Sequence, residues 1–199
     1  MTGHSLPDLV FVTSNPNKVK EVRKILKEYG IEFEHLDLEY QEIQASSLHE
    51  IALASARYLC ERVSRPFFIE DAGLFIGALS GFPGPYSSYV YKTIGNSGVL
   101  KLMEAVQQRA SRFESVVAYA ESIHDIAVFR GVVEGSISLE AKGEGWGFDP
   151  IFIPEGSDKT YAKMGTEAKQ RLSHRSAALE RFAAWFNKRG RNGFLRLSR

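Results

Sequence analysis

The stretch Asp8–Ser14, DLVFVTS, followed directly by Asn15-Pro16-Asn17, decides the class of fold. Its apolar run has the length of a buried strand, and the polar triplet after it is typical of a turn. Apolar residues then recur at helical spacing, at Val19, Val22, Leu26 and Tyr29. Gly30 is a plausible residue to follow the end of that helix. A strand, a polar turn and a helix in this order indicate an α/β protein.

The remaining chain continues the alternation of strands and helices. Further strands are predicted at Ile31–Leu38, Phe67–Ile69, Arg112–Glu121, Ile126–Val133 and Ile151–Ile153. Further helices are predicted from a capping-box spacing at Ser47 and Glu50, around Ser87–Ile94 and Ser97–Arg109, and over Ser173–Arg189. We expect one mixed α/β domain over residues 1–189, built of two lobes with a cleft between them. Gly190 is expected to end the last helix, leaving a flexible basic tail over residues 190–199.

Composition narrows the classes of function. A net charge of +1 over 199 residues predicts no general attraction to nucleic acid, so a polyanionic ligand must be met by locally placed cations. The single cysteine, Cys60, excludes an internal disulfide and favours a reducing compartment. The first residues, MTGHSLPDLVF, lack the basic start and apolar run of a signal peptide, and no apolar stretch approaches the roughly 20 residues of a membrane span. We expect a cytoplasmic protein with neither a nucleic-acid nor a membrane partner.

A first polar segment lies where the first strand gives way to the first helix. It consists of Thr13, Ser14, Asn15, Pro16, Asn17 and Lys18. The free N–H groups of a helix start bind phosphate, and a lysine in a first helical turn is unfavourable unless an anion is close by. The alternative is a simple helix cap with a solvated lysine, because the segment lacks the glycines of a P-loop.

Two acidic segments follow. Glu39–Gln44 (EYQEIQ) precedes a helix, and Glu70-Asp71 closes the short apolar strand at Phe67–Ile69. Adjacent carboxylates at the end of a buried strand are costly unless they are paired or bind a cation. Mg²⁺ takes few carboxylates together with water and substrate phosphates, which suits one acid from each segment. The alternatives are a solvated loop face for the first segment, and a helix cap or salt bridge for the second.

A fourth polar constellation combines glycines, aromatic rings and cations. The run Gly145–Pro150 (GWGFDP) lets backbone and rings approach a flat ligand, and Asp149 can accept hydrogen bonds from a heterocycle. Ser173 as a helix cap places His174 and Arg175 in the first turn, where an anion or carbonyl oxygen is welcome. A lone histidine is more often structural, but Lys169 and Arg175 beside it favour a binding site.

These motifs resemble those of the inosine/xanthosine triphosphate pyrophosphatases, which clear non-standard purine nucleotides. The resemblance covers about Val10 to Ala184 and rests on TSNPNK, QEIQ, EDAGL with GFPGPYS, GWGFDPIF and K-x3-SHR, in that order. The QEIQ motif and Ile94-Gly95-Asn96 are most similar to the archaeal branch. The resemblance implies a central mixed sheet flanked by helices, two lobes with the active site between them, and a homodimer.

The resemblance also implies roles for the residues. It makes Asp71 the catalytic base, and Glu42 and Asp71 the ligands of Mg²⁺, with Glu39 the weaker alternative. It assigns substrate binding to Thr13, Ser14, Asn15, Pro16, Asn17, Lys18, Ala72, Trp146, Gly147, Phe148, Asp149, Lys169, His174 and Arg175. The implied reaction hydrolyses ITP, dITP or XTP to the monophosphate and pyrophosphate. A nucleotide-binding protein without hydrolysis, and a pyrophosphatase for another modified nucleotide, are the alternatives.

Three departures from the family pattern concern substrate contacts. Ala72 stands where a serine is usual, so only its backbone can serve. Trp146-Gly147-Phe148-Asp149 replaces the common Phe-Gly-Tyr-Asp and drops a phenolic hydroxyl. Ser88 stands where many relatives carry a lysine or arginine, with Lys92 and Arg57 the candidates to replace that charge.

Overall fold

The computed structural model describes residues 8–196, and the side-chain surroundings of residues 8–189. Its strands are β1 (Val10–Val12), β2 (Glu34–Leu36), β3 (Phe67–Ile76), β4 (Pro83–Gly84), β5 (Ala110–Ser122), β6 (Asp125–Ile137) and β7 (Phe152–Pro154). Its α-helices are α1 (Pro16–Lys27), α2 (Leu48–Leu59), α3 (Ser87–Thr93), α4 (Gly95–Leu102), α5 (Thr166–Arg171) and α6 (His174–Arg196).

All seven strands form one mixed sheet. The order is β2-β1-β3-β5-β6-β7, with β4 paired to β3 beside this path. The pairs β1–β2 and β1–β3 are parallel, and the remaining pairs are antiparallel. The predicted mixed α/β fold and the predicted antiparallel pair, now β5 and β6, are therefore confirmed.

Helices cover both faces of the sheet because its central strands alternate apolar side chains. Phe11, Phe68 and Val117 pack in one buried cluster with residues of α1 and α6. Their neighbours Val10, Ile69 and Val116 belong to a second cluster, which also contains four buried residues of α2. A third cluster, further along β3 and β5, joins Leu74, Ile76 and Phe113 to α3, α4 and β7.

The helix starts follow the local chemistry predicted for them. The Asn15 side chain caps α1 by accepting from the backbone N–H groups of Asn17 and Lys18 at 3.0 and 3.3 Å, and Pro16 occupies the first helical position. Ser47 caps α2 by accepting from the N–H of Glu50 at 3.2 Å. Both caps fix where the chain leaves the preceding loop.

Several boundaries differ from the predictions. The strand predicted to end at Ile69 continues through Glu70-Asp71 to Ile76, so these acids lie in mid-strand and not at its end. The last helix continues through Gly190 to at least Arg196, the last described residue, so the predicted stop at Gly190 was wrong. Neither β4 nor α5 was predicted. The first seven residues, and the last three of the predicted tail, lie outside the described residues, and a single domain over residues 1–189 stays a prediction.

Within residues 8–196, no helix combines the length and apolar character required to span a bilayer.

Candidate active site

The site is built on a gap in the hydrogen bonding along one edge of β3. Near its start, β3 pairs with β1 at Phe67 and Phe68, and near its end it pairs with β4 at Leu74 and Phe75. Between them, Glu70–Ala72 has no neighbouring strand on this edge in the described part of the chain. The Lys18 ammonium enters the gap and donates to the backbone oxygen of Glu70 at 2.6 Å.

Glu70 and Asp71 point to opposite faces of the sheet because successive strand residues alternate. Glu70 is in register with Val117, which packs in the cluster under α1 and α6. Asp71 is in register with Val116, which packs in the cluster under α2. The two acids therefore place one carboxylate on each face of the sheet at the gap.

Glu70 is buried in a set of compensating contacts. Its carboxylate lies 3.2 Å from the Lys18 ammonium and 3.2 Å from Nε of Arg175, and it accepts from the Ser115 hydroxyl at 2.5 Å. Burial raises its pKa, but Arg175, Lys18 and Ser115 outweigh burial and lower the pKa of Glu70 to about 2. Glu70 is therefore a stable anion. Its Oε2 is held by the Lys18 ammonium as an ion pair and accepts no well-aligned hydrogen bond from residues 8–189.

Asp71 is in the reverse situation. Its side chain is 20% exposed and accepts one hydrogen bond, from the N–H of Ala72 at 2.8 Å. Burial raises the pKa of Asp71 to about 7; the Lys18 ammonium 4.0 Å away opposes the rise, and Glu42 and Glu70 add to it. Without a further cation, Asp71 is thus half-protonated near neutral pH.

The loop before α2 brings a third acid toward this pair. Tyr40 packs against the α2 cluster, and burial together with the charges of Glu42, Asp71 and Glu70 raises the pKa of its phenol. The exposed Glu42 therefore lies on the side of the gap that Asp71 faces. Glu39, also exposed, takes no part in the contacts described for this cluster. In the described chain, no three His, Cys, Asp or Glu side chains form a ready-made metal cage.

The segment between β1 and α1 is held by hydrogen bonds to its neighbours. Thr13 donates its N–H to the Leu36 oxygen at 3.2 Å, and its own carbonyl oxygen contacts Nε2 of His35 at 2.8 Å. The Thr13 hydroxyl in turn accepts from the N–H of Asn15 at 3.1 Å. Ser14 and Pro16 are exposed. The predicted anion-binding segment is therefore a fixed turn directly beside the acids.

A polar pocket lies on the Glu70 side of the gap, and Glu21 is at its centre. The Glu21 carboxylate accepts from Nε1 of Trp146 at 3.0 Å and from Lys169 at 2.9 Å, and it forms a short ion pair with Arg175. Lys169 also contacts Asp149 at 2.7 Å. The structure thus brings together the predicted residues Trp146, Asp149, Lys169 and Arg175.

Glu21 is a site residue that the sequence analysis missed. Its one signal was its position three residues after Lys18, which places both on one helical face. Burial raises its pKa, but Arg175 and Lys169 outweigh burial and lower the pKa of Glu21 to about 2. Burial raises the pKa of Asp149 despite its contact with Lys169. The pocket therefore holds two cations and one firmly ionised acid.

Two predicted substrate residues, Phe148 and His174, are buried. Phe148 is 4% exposed and lies edge-on to Tyr91 at 5.6 Å. His174 is stacked on Phe113 at 4.5 Å, and burial together with Arg175 lowers its pKa to about 3, so its ring is neutral. Gly147, with φ +62°, is the bend between Trp146 and Phe148. A helix-start turn with free N–H groups, a group of acids and an aromatic pocket around one gap suit a nucleotide.

Comparisons with known proteins identify the family. The Ham1 family model matches residues 9–185. Proteins named dITP/XTP pyrophosphatase from Methanopyrus kandleri and Thermococcus kodakarensis are each 52% identical, over 179 and 178 residues, which is 89% of this chain and 95% and 96% of theirs. A Ham1 protein of Coxiella burnetii superposes with a TM-score of 0.79 and 28% identity, over 92% of this chain and 100% of that one. The chain belongs to the Ham1 family.

Proposed function

We propose that this protein is a metal-dependent pyrophosphatase that hydrolyses ITP, dITP and XTP to the nucleoside monophosphate and pyrophosphate. The observation that carries the proposal is the gap in β3, where the Thr13–Lys18 turn, the acids and the Trp146 pocket meet. The names of the relatives from Methanopyrus kandleri and Thermococcus kodakarensis support dITP and XTP among these substrates.

The acids at the gap suit a hard divalent cation, which we propose to be Mg²⁺. Burial raises the pKa of Asp71, so a cation beside this carboxylate would relieve the cost of ionising it. Glu42 and Asp71 would hold the metal, leaving its other positions to water and phosphate oxygens. When bound, Mg²⁺ would neutralise charge on the phosphate oxygens.

Asp71 is better suited than Glu70 to accept the proton of the attacking water. Of two adjacent carboxylates the more basic one accepts a proton more readily; burial raises the pKa of Asp71, whereas Arg175 and Lys18 hold Glu70 as an anion. The water oxygen forms a bond to the α-phosphorus while the bond from that phosphorus to the bridging oxygen breaks. Its proton passes to Asp71, and pyrophosphate leaves.

The Thr13–Lys18 turn would hold the triphosphate. The start of α1 offers backbone N–H groups and a favourable dipole to an anion, and Lys18 reaches from the first turn into the gap. Both stabilise the charge that grows on the leaving pyrophosphate, as phosphoryl transfer requires. Ala72 contributes backbone only.

The polar pocket would read the purine. Hypoxanthine and xanthine present an acceptor at position 6 and a donor at N1, whereas adenine reverses both. Arg175 and Lys169 supply donors, and Asp149 and Glu21 supply acceptors, around the Trp146 ring. A base with the wrong pattern leaves buried polar groups unpaired, which can reject it by roughly 10⁴–10⁵-fold. Gly147, Phe148 and His174 would shape this pocket from behind.

The test is a nucleotide panel with added Mg²⁺, in which pyrophosphate release is measured from ITP, dITP, XTP, GTP and ATP. We expect rapid release from the first three and slow release from ATP, whose edge is reversed. GTP shares the 6-oxo edge and should be slow because its 2-amino group is excluded by shape or by an unsatisfied contact. Asp71→Asn should lower turnover by roughly 10²–10⁴-fold, the usual worth of a general base. Near-normal turnover by this variant would reject the role of Asp71. Nucleotide binding without pyrophosphate release, or equal rates for all five, would reject the proposed function.

We also propose that the protein acts as a cytoplasmic homodimer. Its substrates belong to the intracellular nucleotide pool, which suits that location. A surface for a second copy is offered around α3, where large side chains are unusually exposed. These are Phe82, Tyr86, Tyr89, Tyr91 and Ile94.

A further inference from the structure

Asn96, the second residue of α4, makes a contact that local helix structure does not require. Its Nδ2 donates to the backbone oxygen of Gly147 at 3.1 Å, across 51 positions of sequence. Gly147 is the bend, with φ +62°, between Trp146 and Phe148. The side chain of Asn96 therefore touches the backbone of the pocket loop and not a substrate group.

The helix that carries Asn96 is itself firmly placed. Gly98 lies so close to Ile94 that an added Cβ would come within 2.4 Å of the Ile94 Cβ, so α4 turns tightly on the end of α3. On α3, Tyr91 lies edge-on to Phe148 at 5.6 Å. The α3–α4 unit thus contacts two consecutive residues of the loop, one through a hydrogen bond and one through a ring.

The opposite side of the loop is held by α1. Trp146 Nε1 donates to Glu21 at 3.0 Å, and the Trp146 ring lies 5.2 Å from the guanidinium of Arg175 and 5.8 Å from the ammonium of Lys169. The orientation of this indole therefore depends on two anchors, Glu21 on one side and the α3–α4 unit on the other. A shift of Gly147 would move the indole against both cations.

The energetics of Asn96 favour a role in positioning over one in stability. Its Oδ1 is buried and finds no hydrogen-bond partner in the described residues. A buried acceptor without a partner is a cost that an apolar residue of similar size would avoid. What the asparagine provides in return is the hydrogen bond from its Nδ2 to Gly147.

We propose that Asn96 is a positioning residue for nucleobase recognition: its amide holds Gly147 and thereby sets the Trp146 indole against Glu21, Lys169 and Arg175. The inference rests on the proposed function, because it assigns the base to this pocket. It goes beyond that function by making α4, which lies outside the pocket, a determinant of substrate affinity.

The first experiment measures kinetics of Asn96→Asp and Asn96→Ala with ITP. Both remove the donor to Gly147, so KM should rise about three- to tenfold, as expected for one lost hydrogen bond, while kcat changes by less than about twofold. Inhibition by inorganic triphosphate, which has no base, should be unchanged. Ser97→Ala is the matched control, since its exposed hydroxyl contacts only Ile94 of its own turn at 3.4 Å. Unchanged KM, or equal weakening of inorganic triphosphate, would overturn the proposal.

A second measurement does not depend on activity. The chain has two tryptophans, so Trp185→Phe leaves Trp146 as the sole indole. In that background, Asn96→Asp and Asn96→Ala should increase acrylamide quenching of Trp146 and lower its fluorescence anisotropy, whereas Ser97→Ala should change neither. Identical quenching and anisotropy in all variants would refute the link. If the wild-type protein fails to hydrolyse ITP, the proposed function fails, and these spectra still decide whether Asn96 positions Trp146.

Discussion

Glu70 and Asp71 are adjacent in sequence, yet their surroundings give them opposite acid strengths. Glu70 faces Arg175, Lys18 and the Ser115 hydroxyl, which hold its pKa at about 2. Asp71 faces the acidic loop, and burial raises its pKa to about 7 although Lys18 is nearby. Residues that differ in this way can take different tasks, one as a fixed anion and the other as a proton acceptor.

This contrast predicts how the metal-free protein responds to pH. Asp71 ionises near 3.8 in the unfolded chain and near 7 in the folded one, so the free energy of unfolding should fall as pH rises between those values and then level off. Asp71→Asn removes this loss and should stabilise the metal-free protein by about 2–4 kcal/mol at pH 8, with little difference below pH 4. Urea unfolding with a chelator present measures both.

With added Mg²⁺ at pH 8, the wild-type protein should become more stable than Asp71→Asn. The metal favours the ionised carboxylate, so it should raise the unfolding midpoint of the wild-type protein and scarcely that of Asp71→Asn. An equal Mg²⁺ stabilisation of both proteins would show that Asp71 is not a ligand.

Glu21 permits a second prediction at the scale of one residue. Glu21→Gln keeps the size of the side chain but removes the charge that pairs with Lys169 and Arg175. We expect kcat/KM for ITP to fall about tenfold or more, in line with the loss of buried charge-assisted hydrogen bonds, and the preference over ATP to narrow. Glu28→Gln, in the residue after α1 and bonded only to Gln170 at the surface, is the control and should leave both unchanged. If Glu21→Gln leaves the ratio of kcat/KM for ITP to kcat/KM for ATP unaltered, Glu21 takes no part in base recognition.

The sequence predicted most of the residues at the gap but not which of them contact one another. Trp146, Asp149, Lys169 and Arg175 were expected together and lie together. Glu21 was missed because an acid on an exposed-looking helical face resembles any solvated residue. Glu21 becomes a site residue through its contact with Lys169, which is 148 positions away. Such contacts exist only after the chain has folded.

At the scale of elements, the turn into α1 both caps the helix and is proposed to bind phosphate. Substitutions can distinguish a loss of phosphate binding from a loss of stability. The Asn15 side chain caps the helix, and the same turn is proposed to hold phosphate. Asn15→Ala should cost about 1 kcal/mol of unfolding free energy through the lost cap. It should also weaken competitive inhibition by inorganic triphosphate.

Ser47→Ala is the matched comparison, because Ser47 caps α2 in the same way but lies outside the turn. It should lose similar stability in thermal or urea unfolding and retain the wild-type inhibition constant. Unchanged inhibition in Asn15→Ala, or equal weakening in both variants, would contradict phosphate binding by the turn.

Element boundaries were predictable where the chain repeats its local pattern and failed where tertiary contacts override it. β5 and β6 follow from alternating residues around His124-Asp125. By contrast, β3 was expected to stop at Ile69, because two acids interrupt the apolar run. The strand continues because Lys18, Arg175 and Ser115 compensate the charge of Glu70, and none of them is close in sequence. Gly190 did not end α6, since a glycine weakens a helix without forbidding it.

At the scale of the molecule, the exposed aromatic surface around α3 predicts a homodimer with α3 at its interface. Tyr89 is 69% exposed, and Tyr86 and Tyr91 are exposed beside it. Tyr89→Asp places a charge in the proposed contact and should shift the protein from dimer to monomer in light scattering at micromolar concentration. Leu139→Asp, at a residue that is 83% exposed and outside α3, should leave the mass unchanged. A wild-type monomer, or a dimer that persists in Tyr89→Asp, would contradict this surface as the interface.

The gap in β3 also bears on the solubility of the protein. An unpaired length of strand edge is a template onto which another chain can add a strand, and natural proteins protect such edges with lysines and inward-pointing charges. Here Lys18 occupies the edge at the Glu70 oxygen, with the carboxylates of Glu70 and Asp71 beside it. The groups proposed to handle phosphate are therefore also those that discourage aggregation, so selection on either property constrains the same few side chains.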